Sequence, residues 1–167
     1  MVEYIISFGL GSILTSGYFY IEIKKLNKQK EQEKIEKEKY IEELKQANID
    51  KGIKYEFQIG RYFKGLGYKI YMKGINEGKK DMGIDIIAYK DKEALLIQCK
   101  NSIYPIKQDI IRKFIGDCHM YEKEKNKYLN NKIVKRIIVS NSNMDKGCEL
   151  YFKQHKVECN FLQIKEN

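Results

Sequence analysis

The chain has 167 residues, of which 43% are hydrophobic and 33% are charged, so it holds enough apolar material for a core and too much for a wholly disordered protein. Its length corresponds to one ordinary domain with an additional segment, which excludes two full domains. The four cysteines show neither the C-x-x-C spacing of a structural zinc site nor a disulfide framework, so a reducing compartment is expected.

Positive charge is concentrated in the C-terminal part of the chain. The whole chain has 32 Lys+Arg against 23 Asp+Glu, a net charge of +9. Residues 1–50 hold 8 basic and 9 acidic side chains, whereas residues 51–167 hold 24 and 14, a net charge of +10 for that part. Such an excess predicts a polyanionic partner, and nucleic acid is a stronger candidate for this partner than anionic lipid. The alternative is the compositional bias of an AT-rich genome, which favours Lys, Ile and Asn regardless of function.

The first predicted element covers residues 4–23. The run from Tyr4 to Ile21 has 18 consecutive uncharged residues, which as a helix would be about 27 Å long and would nearly match a bilayer core. A buried core helix and a cleaved signal peptide are the alternatives, although the acidic Glu3 before the run fits a signal peptide poorly. We therefore expect a transmembrane helix.

The flank of this run and its small residues indicate topology and assembly. The residues that follow it are basic: Lys24, Lys25, Lys28 and Lys30. This flank predicts a single-pass membrane protein whose C-terminal domain is cytoplasmic. Ser7, Gly11 and Thr15 recur every four residues, a spacing that allows two such helices to approach closely as a homodimer.

Residues 24–50 are highly charged, of mixed sign, free of Gly and Pro, and built almost entirely from helix formers. They predict a charged helical linker between the membrane helix and a domain over residues 51–167. Their apolar residues form only a broken stripe, so a solvated spacer is favoured over a coiled coil.

Residues 51–167 alternate short apolar runs with amphipathic ones. We expect helices over about residues 52–65, 107–125 and 145–155, and strands over about residues 68–73, 83–90, 94–100, 133–140 and 157–164. The element order αβββαβαβ predicts an α/β fold in which a mixed sheet is flanked by helices.

The most informative stretch is residues 81–100. A tight turn at residues 91–92 places paired residues at positions that sum to 183, which puts Asp85 opposite Gln98. Because side chains alternate along a strand, Gln98 and Lys100 share one face. The hairpin is therefore expected to bring a carboxylate, an amide oxygen and an ammonium group together.

These groups suit metal-assisted hydrolysis of phosphodiesters. Mg²⁺ takes few protein oxygens, so the Asp85 carboxylate, the Gln98 side-chain oxygen and the Cys99 backbone carbonyl would suffice as ligands. Lys100 would orient or deprotonate the attacking water, or offset charge on the phosphorane oxygens. Glu56 is a fourth candidate, which would reach the metal through water. The alternative is that Asp85 and Lys100 form an internal salt bridge and that Gln98 satisfies a neighbouring backbone group.

At these residues the chain resembles the Mrr-like branch of the PD-(D/E)xK nuclease superfamily, over residues 52–164. The resemblance is carried by Gly52-x-x-Tyr55-Glu56-Phe57, Gly67-Tyr68, Asp81-Met82-Gly83-Ile84-Asp85 and Gln98-Cys99-Lys100. The last motif is this branch's Gln-x-Lys variant of Glu-x-Lys. The resemblance implies a restriction-endonuclease-like fold and Mg²⁺-dependent DNA cleavage, with catalytic roles for Glu56, Asp85, Gln98 and Lys100.

Many members of that branch read modified DNA with an N-terminal winged-helix domain. Residues 1–50 are too few and too charged for such a domain, so restriction of modified DNA is not expected here. DNA contact is expected instead from basic residues near the site: Lys73, Lys79, Lys80, Lys107, Arg112 and Lys113. Phosphates favour such groups without reading sequence.

The sequence as a whole predicts a membrane-anchored, Mg²⁺-dependent endonuclease that cuts DNA, with foreign DNA at the membrane as a hypothetical target. One alternative is a catalytically silent protein of the same fold that binds DNA or serves as a membrane scaffold. Another is a nuclease directed at RNA or at a particular nucleic-acid structure.

Overall fold

The computed structural model describes residues 2–78, 81–124 and 129–166, with side chains described from residue 20 onward apart from residue 21. The chain divides into two compact units after Ala47, and the second unit contains the sheet. The elements in the described part are α1 (Val2–Gly65), β1 (Lys69–Tyr71), α2 (Lys73–Glu77), β2 (Ile86–Lys90), β3 (Glu93–Lys100), α3 (Gln108–Glu124), β4 (Ile133–Ser140), α4 (Lys146–Gln154) and β5 (Asn160–Gln163).

The predicted transmembrane helix over residues 4–23 is wrong. Within the residues described above, no helix combines the length and the apolarity that a membrane crossing needs. Ten of the 18 uncharged residues of the run are Gly, Ser, Thr or Tyr, which gain less than Leu, Ile or Phe from burial in lipid. The predicted single-pass topology with a cytoplasmic domain is wrong for the same reason. Ser7, Gly11 and Thr15 lie outside the residues whose side chains are described, so the homodimer stays a prediction.

The predicted mixed sheet flanked by helices is present. Its strand order is β1-β2-β3-β4-β5, with β1, β2 and β3 antiparallel and β3, β4 and β5 parallel. β4 has the bounds predicted from the sequence, whereas β1 and β5 are shorter than predicted. β3, which carries Gln98 and Lys100, is therefore the central strand of the sheet. The antiparallel strands β1 and β2 lie on one side of it, and the parallel strands β4 and β5 lie on the other.

The predicted register of the β2–β3 hairpin is confirmed. Lys90 pairs with Glu93, and the pairing continues to Ile86 and Ile97. Asp91 has a φ of 49° in the two-residue turn, a left-handed conformation that Asp tolerates better than most residues. Because this turn sets the register, it also decides which β3 residues face the segment that precedes β2.

Each face of the sheet is covered by a separate apolar cluster. One cluster packs the end of α1 against the sheet, through Tyr55, Ile59, Phe63, Ile86, Ala88, Leu95, Ile97 and Val139. The other packs α3 and α4 against the opposite face, through residues that include Ile87, Leu96, Ile111, Phe114, Ile138 and Cys148. Full burial of each large apolar side chain contributes about 1.5–3 kcal/mol relative to exposure. The alternation along β3 thus assigns Gln98 and Lys100 to the α3 face.

The predicted strand over residues 83–90 begins only at Ile86, and a short helix precedes it. Asp81 explains the late start, since its Oδ1 accepts a 2.8 Å hydrogen bond from the Gly83 amide and closes a turn. Met82 and Gly83 have φ values of 55° and 68° in that turn, which a strand does not allow. The helix α2, which the sequence did not predict, occupies part of the expected loop.

Candidate metal and nucleic-acid site

Asp85 lies one residue before β2 and is anchored by its backbone and its side chain. Its amide donates to the Ile97 carbonyl at 2.9 Å, and its carbonyl accepts from the Gly74 amide at 2.9 Å. Its Oδ2 accepts a 2.6 Å hydrogen bond from the Cys99 amide. The carboxylate is therefore held against β3, next to the strand residues that the sequence grouped with it.

The same geometry directs the Cys99 carbonyl toward Asp85. The N–H and C=O groups of one strand residue point to the same neighbour, and the Cys99 amide points to Asp85. The next carbonyl, that of Lys100, points to the other side, where it accepts from the Asn141 amide at 3.3 Å. The Cys99 carbonyl oxygen and the Asp85 carboxylate therefore lie on the same side of β3, next to the start of β2.

Glu56 approaches Asp85 from α1 across the glycine of α2. A Cβ at Gly74 would lie 3.2 Å from Glu56 Oε2 and 3.4 Å from Asp85 Oδ1. Two carboxylates therefore converge on one bare Cα, and a larger residue would separate them. Glu56 Oε2 is buried and has no hydrogen-bond partner among the described residues, an arrangement that is costly unless another group binds there.

Gln98 lies on the α3 face of the same site and is 7% exposed. Its Nε2 donates to the Gly83 carbonyl at 2.9 Å, which assigns the amide nitrogen to the protein and leaves Oε1 as the metal-binding candidate. Asp117 of α3 also comes close, because a Cβ at Gly83 would lie 2.7 Å from its Oδ2. Gly83 therefore needs to be glycine for its φ and for this contact.

Lys100 lines a cleft of about 580 Å³ together with Gln98 and residues at the start of α3. Burial raises the pKa of Glu56 and of Asp85, and the Lys100 ammonium offsets a small part of that rise, so its charge acts on both carboxyl groups. The Lys100 backbone is fixed by the Ser140 hydroxyl, which donates to its carbonyl at 3.0 Å. The ammonium therefore extends from a rigid strand end.

The electrostatics of the two carboxyl groups are dominated by burial. Burial raises the pKa of Glu56 to about 7, with smaller upward contributions from Asp85 and Asp81. Burial also raises the pKa of Asp85 to about 6, against the hydrogen bond from the Cys99 amide, which lowers it. Both groups thus resist ionisation when no cation is bound, and a divalent cation would favour the charged forms.

The donor set fits a hard divalent cation. Among the described residues, no group of three or more His, Cys, Asp or Glu side chains is arranged to hold a metal. Two carboxylates, one amide oxygen and one backbone carbonyl are the oxygen ligands that Mg²⁺ accepts, with water completing its shell. The unpartnered Glu56 Oε2 is the structural observation that favours such a ligand.

The predicted DNA-contacting lysines are placed very differently. Lys107, Arg112 and Lys113 are exposed on or beside α3, and Lys107 and Lys113 line the cleft with Lys100. Lys73 is 1% exposed, so it does not offer its charge to a phosphate. Its ammonium donates to the Asp81 carbonyl at 2.6 Å, lies 3.0 Å from Glu77 and stacks over Tyr121. Two further candidates lie outside the described residues: Lys79 and Lys80.

Two residues of the site were not identified from the sequence. Gly74 gave no signal beyond being a lone glycine in an expected loop, and only its packing shows why a side chain is excluded there. Asp117 lies in the middle of an amphipathic helix, where an acidic residue is ordinary. Asp81, which begins the motif that leads to Asp85, shapes the loop by accepting a hydrogen bond from the Gly83 amide.

The Mrr_cat restriction endonuclease family model matches residues 47–160, more than half of the chain. The resemblance read from the sequence motifs is thereby confirmed. No curated protein matches the chain. Among solved structures, the crystal structure of AF1548, a protein of unknown function, is 15% identical over 65% of this chain with a TM-score of 0.48. The chain spans 55% of that protein.

Proposed function

Because the chain belongs to the Mrr catalytic-domain family of restriction endonucleases, we propose that it is a nuclease that hydrolyses DNA phosphodiester bonds with the help of Mg²⁺. The observation that supports this proposal most is the convergence of Glu56 and Asp85 on Gly74, beside the strand end that carries Gln98 and Lys100. Carboxylates held together in a buried setting need a cation or a proton, and phosphodiester hydrolysis uses the cation.

Each residue of the site has a distinct part in this proposal. Asp85, the Gln98 side-chain oxygen and the Cys99 carbonyl would hold the metal, which when bound supplies Lewis-acid activation of the scissile phosphate. Lys100 would orient or deprotonate the attacking water, or offset the charge that develops on the phosphate oxygens. Glu56 would accept a hydrogen bond from water through its unpartnered Oε2.

The basic cleft supports DNA as the substrate. The exposed Lys107 and Lys113 border the same cleft as Lys100 and Gln98, so a bound phosphodiester backbone would be led toward the carboxylates. Contacts of this kind give affinity without reading base sequence. We therefore propose that the cleft binds the DNA backbone with little sequence preference of its own.

Digestion of plasmid and oligonucleotide DNA with Mg²⁺ tests the proposal. Asp85→Asn keeps an oxygen for the Cys99 amide but removes the charge, and Lys100→Ala removes the ammonium. We expect each to reduce cleavage by about 100-fold or more, since positioned groups of this type contribute 10²–10⁴-fold. Lys123→Ala, an exposed lysine in the last turn of α3, is the matched control and should cleave like the wild type.

Either of two results would contradict the assignment. If the wild type leaves all DNA intact with Mg²⁺, the result favours the catalytically silent binding module or scaffold. If the wild type digests DNA and both variants digest it equally well, the site lies elsewhere. Digestion of RNA in preference to DNA would redirect the substrate class but keep the site.

A further inference from the structure

The loop between β3 and α3 exposes two large apolar side chains beside the candidate site. Ile103 is 81% exposed and Tyr104 is 71% exposed, the highest values among the large hydrophobic side chains that the structure describes. Single exposed apolar residues are ordinary on protein surfaces. Here two of them are consecutive and lie next to the candidate catalytic cleft.

The exposure does not come from a loosely held backbone. The Ser102 amide donates to Asn141 Oδ1 at 2.9 Å, and the Ser142 hydroxyl donates to the Tyr104 carbonyl at 2.8 Å. The Tyr104 amide donates to the Ser102 hydroxyl at 3.0 Å. Ile106, two residues further on, is 1% exposed. The loop is therefore tied to the segment after β4, and it presents its two apolar side chains from a fixed backbone.

Tyr104 borders the cleft that contains Lys100, Lys107 and Lys113. Two acidic residues also line this cleft, Asp109 and Asp145. The Asp145 carboxylate is engaged as the N-cap of α4, where it accepts from the Cys148 amide at 2.7 Å. The three lysines outnumber the two acidic residues, so the lining of the cleft carries a net positive charge. The exposed ring of Tyr104 lies at the border of this cleft.

An aromatic ring beside a cleft lined by several cations matches one strand of a nucleic acid. Cations attract the phosphates, and the ring face is available to a base, because base–aromatic stacking depends little on base identity. In a continuous duplex both faces of each base are covered by neighbouring bases. A ring that accepts a base by stacking therefore favours bases that are unpaired or displaced from the helix.

We infer that Tyr104 stacks on an unpaired nucleobase of the DNA strand whose phosphates lie along Lys100, Lys107 and Lys113, with Ile103 in apolar contact beside it. This inference rests on the proposed function, because it assigns a substrate class to the same cleft. It adds that the preferred substrate carries an unpaired segment at the site, as in single strands, bulges or duplex ends.

Binding measured in EDTA tests this inference without requiring cleavage. The probes are a labelled single-stranded oligonucleotide, the same sequence as a blunt duplex, and a single strand carrying one 2-aminopurine. We expect Tyr104→Ala to weaken single-strand binding by about ten-fold and to affect the duplex much less. Tyr104→Phe, which keeps the ring, should bind like the wild type. Stacking on Tyr104 should quench 2-aminopurine fluorescence, and Tyr104→Ala should remove that quenching.

Ile133→Ala provides the matched control for loss of an exposed apolar side chain. Ile133 is 66% exposed and begins β4, at the opposite end of that strand from Ser140. Equal single-strand affinity of Tyr104→Ala and the wild type, or equal quenching in both, would overturn the inference. A wild type that quenches 2-aminopurine but cleaves no DNA with Mg²⁺ would contradict the nuclease proposal and leave the stacking role intact. Cleavage of DNA without any Tyr104-dependent binding would contradict the stacking role and leave the nuclease proposal intact.

Discussion

The backbone amide of Cys99 donates a 2.6 Å hydrogen bond to Asp85 Oδ2. This bond joins a residue that lies before β2 to the strand that carries Gln98 and Lys100. Burial raises the pKa of Asp85 to about 6, and this hydrogen bond opposes part of that rise. The position of the carboxylate therefore depends on the backbone of β3, which is a central strand, and the site should be sensitive to small displacements around it.

Gly74→Ala tests how closely the two carboxylates must approach. A Cβ there would meet Glu56 Oε2 at 3.2 Å and Asp85 Oδ1 at 3.4 Å, so these groups would have to move by a few tenths of an ångström. Because catalytic geometry tolerates little displacement, we expect DNA cleavage to fall by about ten-fold. Alanine is intrinsically a better helix former than glycine by about 1 kcal/mol. This gain offsets the cost of moving the two carboxylates, so the melting temperature should change little.

Gly116→Ala in α3 is the control for that substitution. A Cβ at Gly116 would have nothing within 4 Å, so the same chemical change in a helix disturbs no neighbour. Cleavage and melting temperature are measured for both variants. Full cleavage by Gly74→Ala would show that the carboxylates need not lie against this residue.

The stability of the metal-free protein should depend on pH through Glu56. Burial raises the pKa of Glu56 from 4.5 to about 7 in the folded protein, so between these values the folded state holds the proton more tightly than the unfolded state. The free energy of unfolding therefore falls as pH rises from 4.5 to about 7, and the contribution is fully lost above that range. Because the side chain is only partly buried, the loss is about 1 kcal/mol after allowing for solvent screening.

Glu56→Gln isolates this effect, since glutamine has a similar shape and does not titrate. Urea unfolding in EDTA at pH values on either side of that range gives the free energies. Relative to the wild type, the variant should be more stable by about 1 kcal/mol on the alkaline side than on the acidic side. A constant difference at both pH values would argue against a buried, raised-pKa carboxyl group.

Lys73 should support the fold and not the binding of DNA. Its buried ammonium contacts the Asp81 carbonyl and Glu77, so Lys73→Met leaves these polar groups without their cation. We expect a loss of about 2 kcal/mol in the free energy of unfolding, less than for a fully buried pair because Glu77 is partly exposed. Lys113→Met, at an exposed position, should leave stability unchanged. Thermal unfolding of both variants checks this contrast, and equal stability would refute the structural role.

The cleft lysines should determine the salt dependence of DNA binding. Lys107→Ala and Lys113→Ala should each weaken binding similarly for all sequences and reduce the slope of log affinity against log salt by about one. Titrations at several salt concentrations in EDTA measure the slopes. The exposed Lys123 at the far end of α3 provides the control, and an unchanged slope in both cleft variants would place the DNA on another surface.

The hairpin shows how much the sequence could predict. A two-residue turn and strict alternation determine the pairing of Lys90 with Glu93 and the shared face of Gln98 and Lys100, because both follow from local geometry. The membrane prediction, in contrast, depended on the absence of charge in one run. Charge alone does not measure the free energy of transfer into lipid.

The sequence alone was sufficient to predict the mixed sheet, the register of its hairpin and the family to which the motifs point. The approach of Glu56 to Asp85 across Gly74, the burial of Lys73 and the exposure of Tyr104 became apparent only in the folded chain. The physical reason is that register and alternation depend on neighbouring residues in the chain. Burial and convergence depend instead on which distant segments pack together, and no local pattern encodes that.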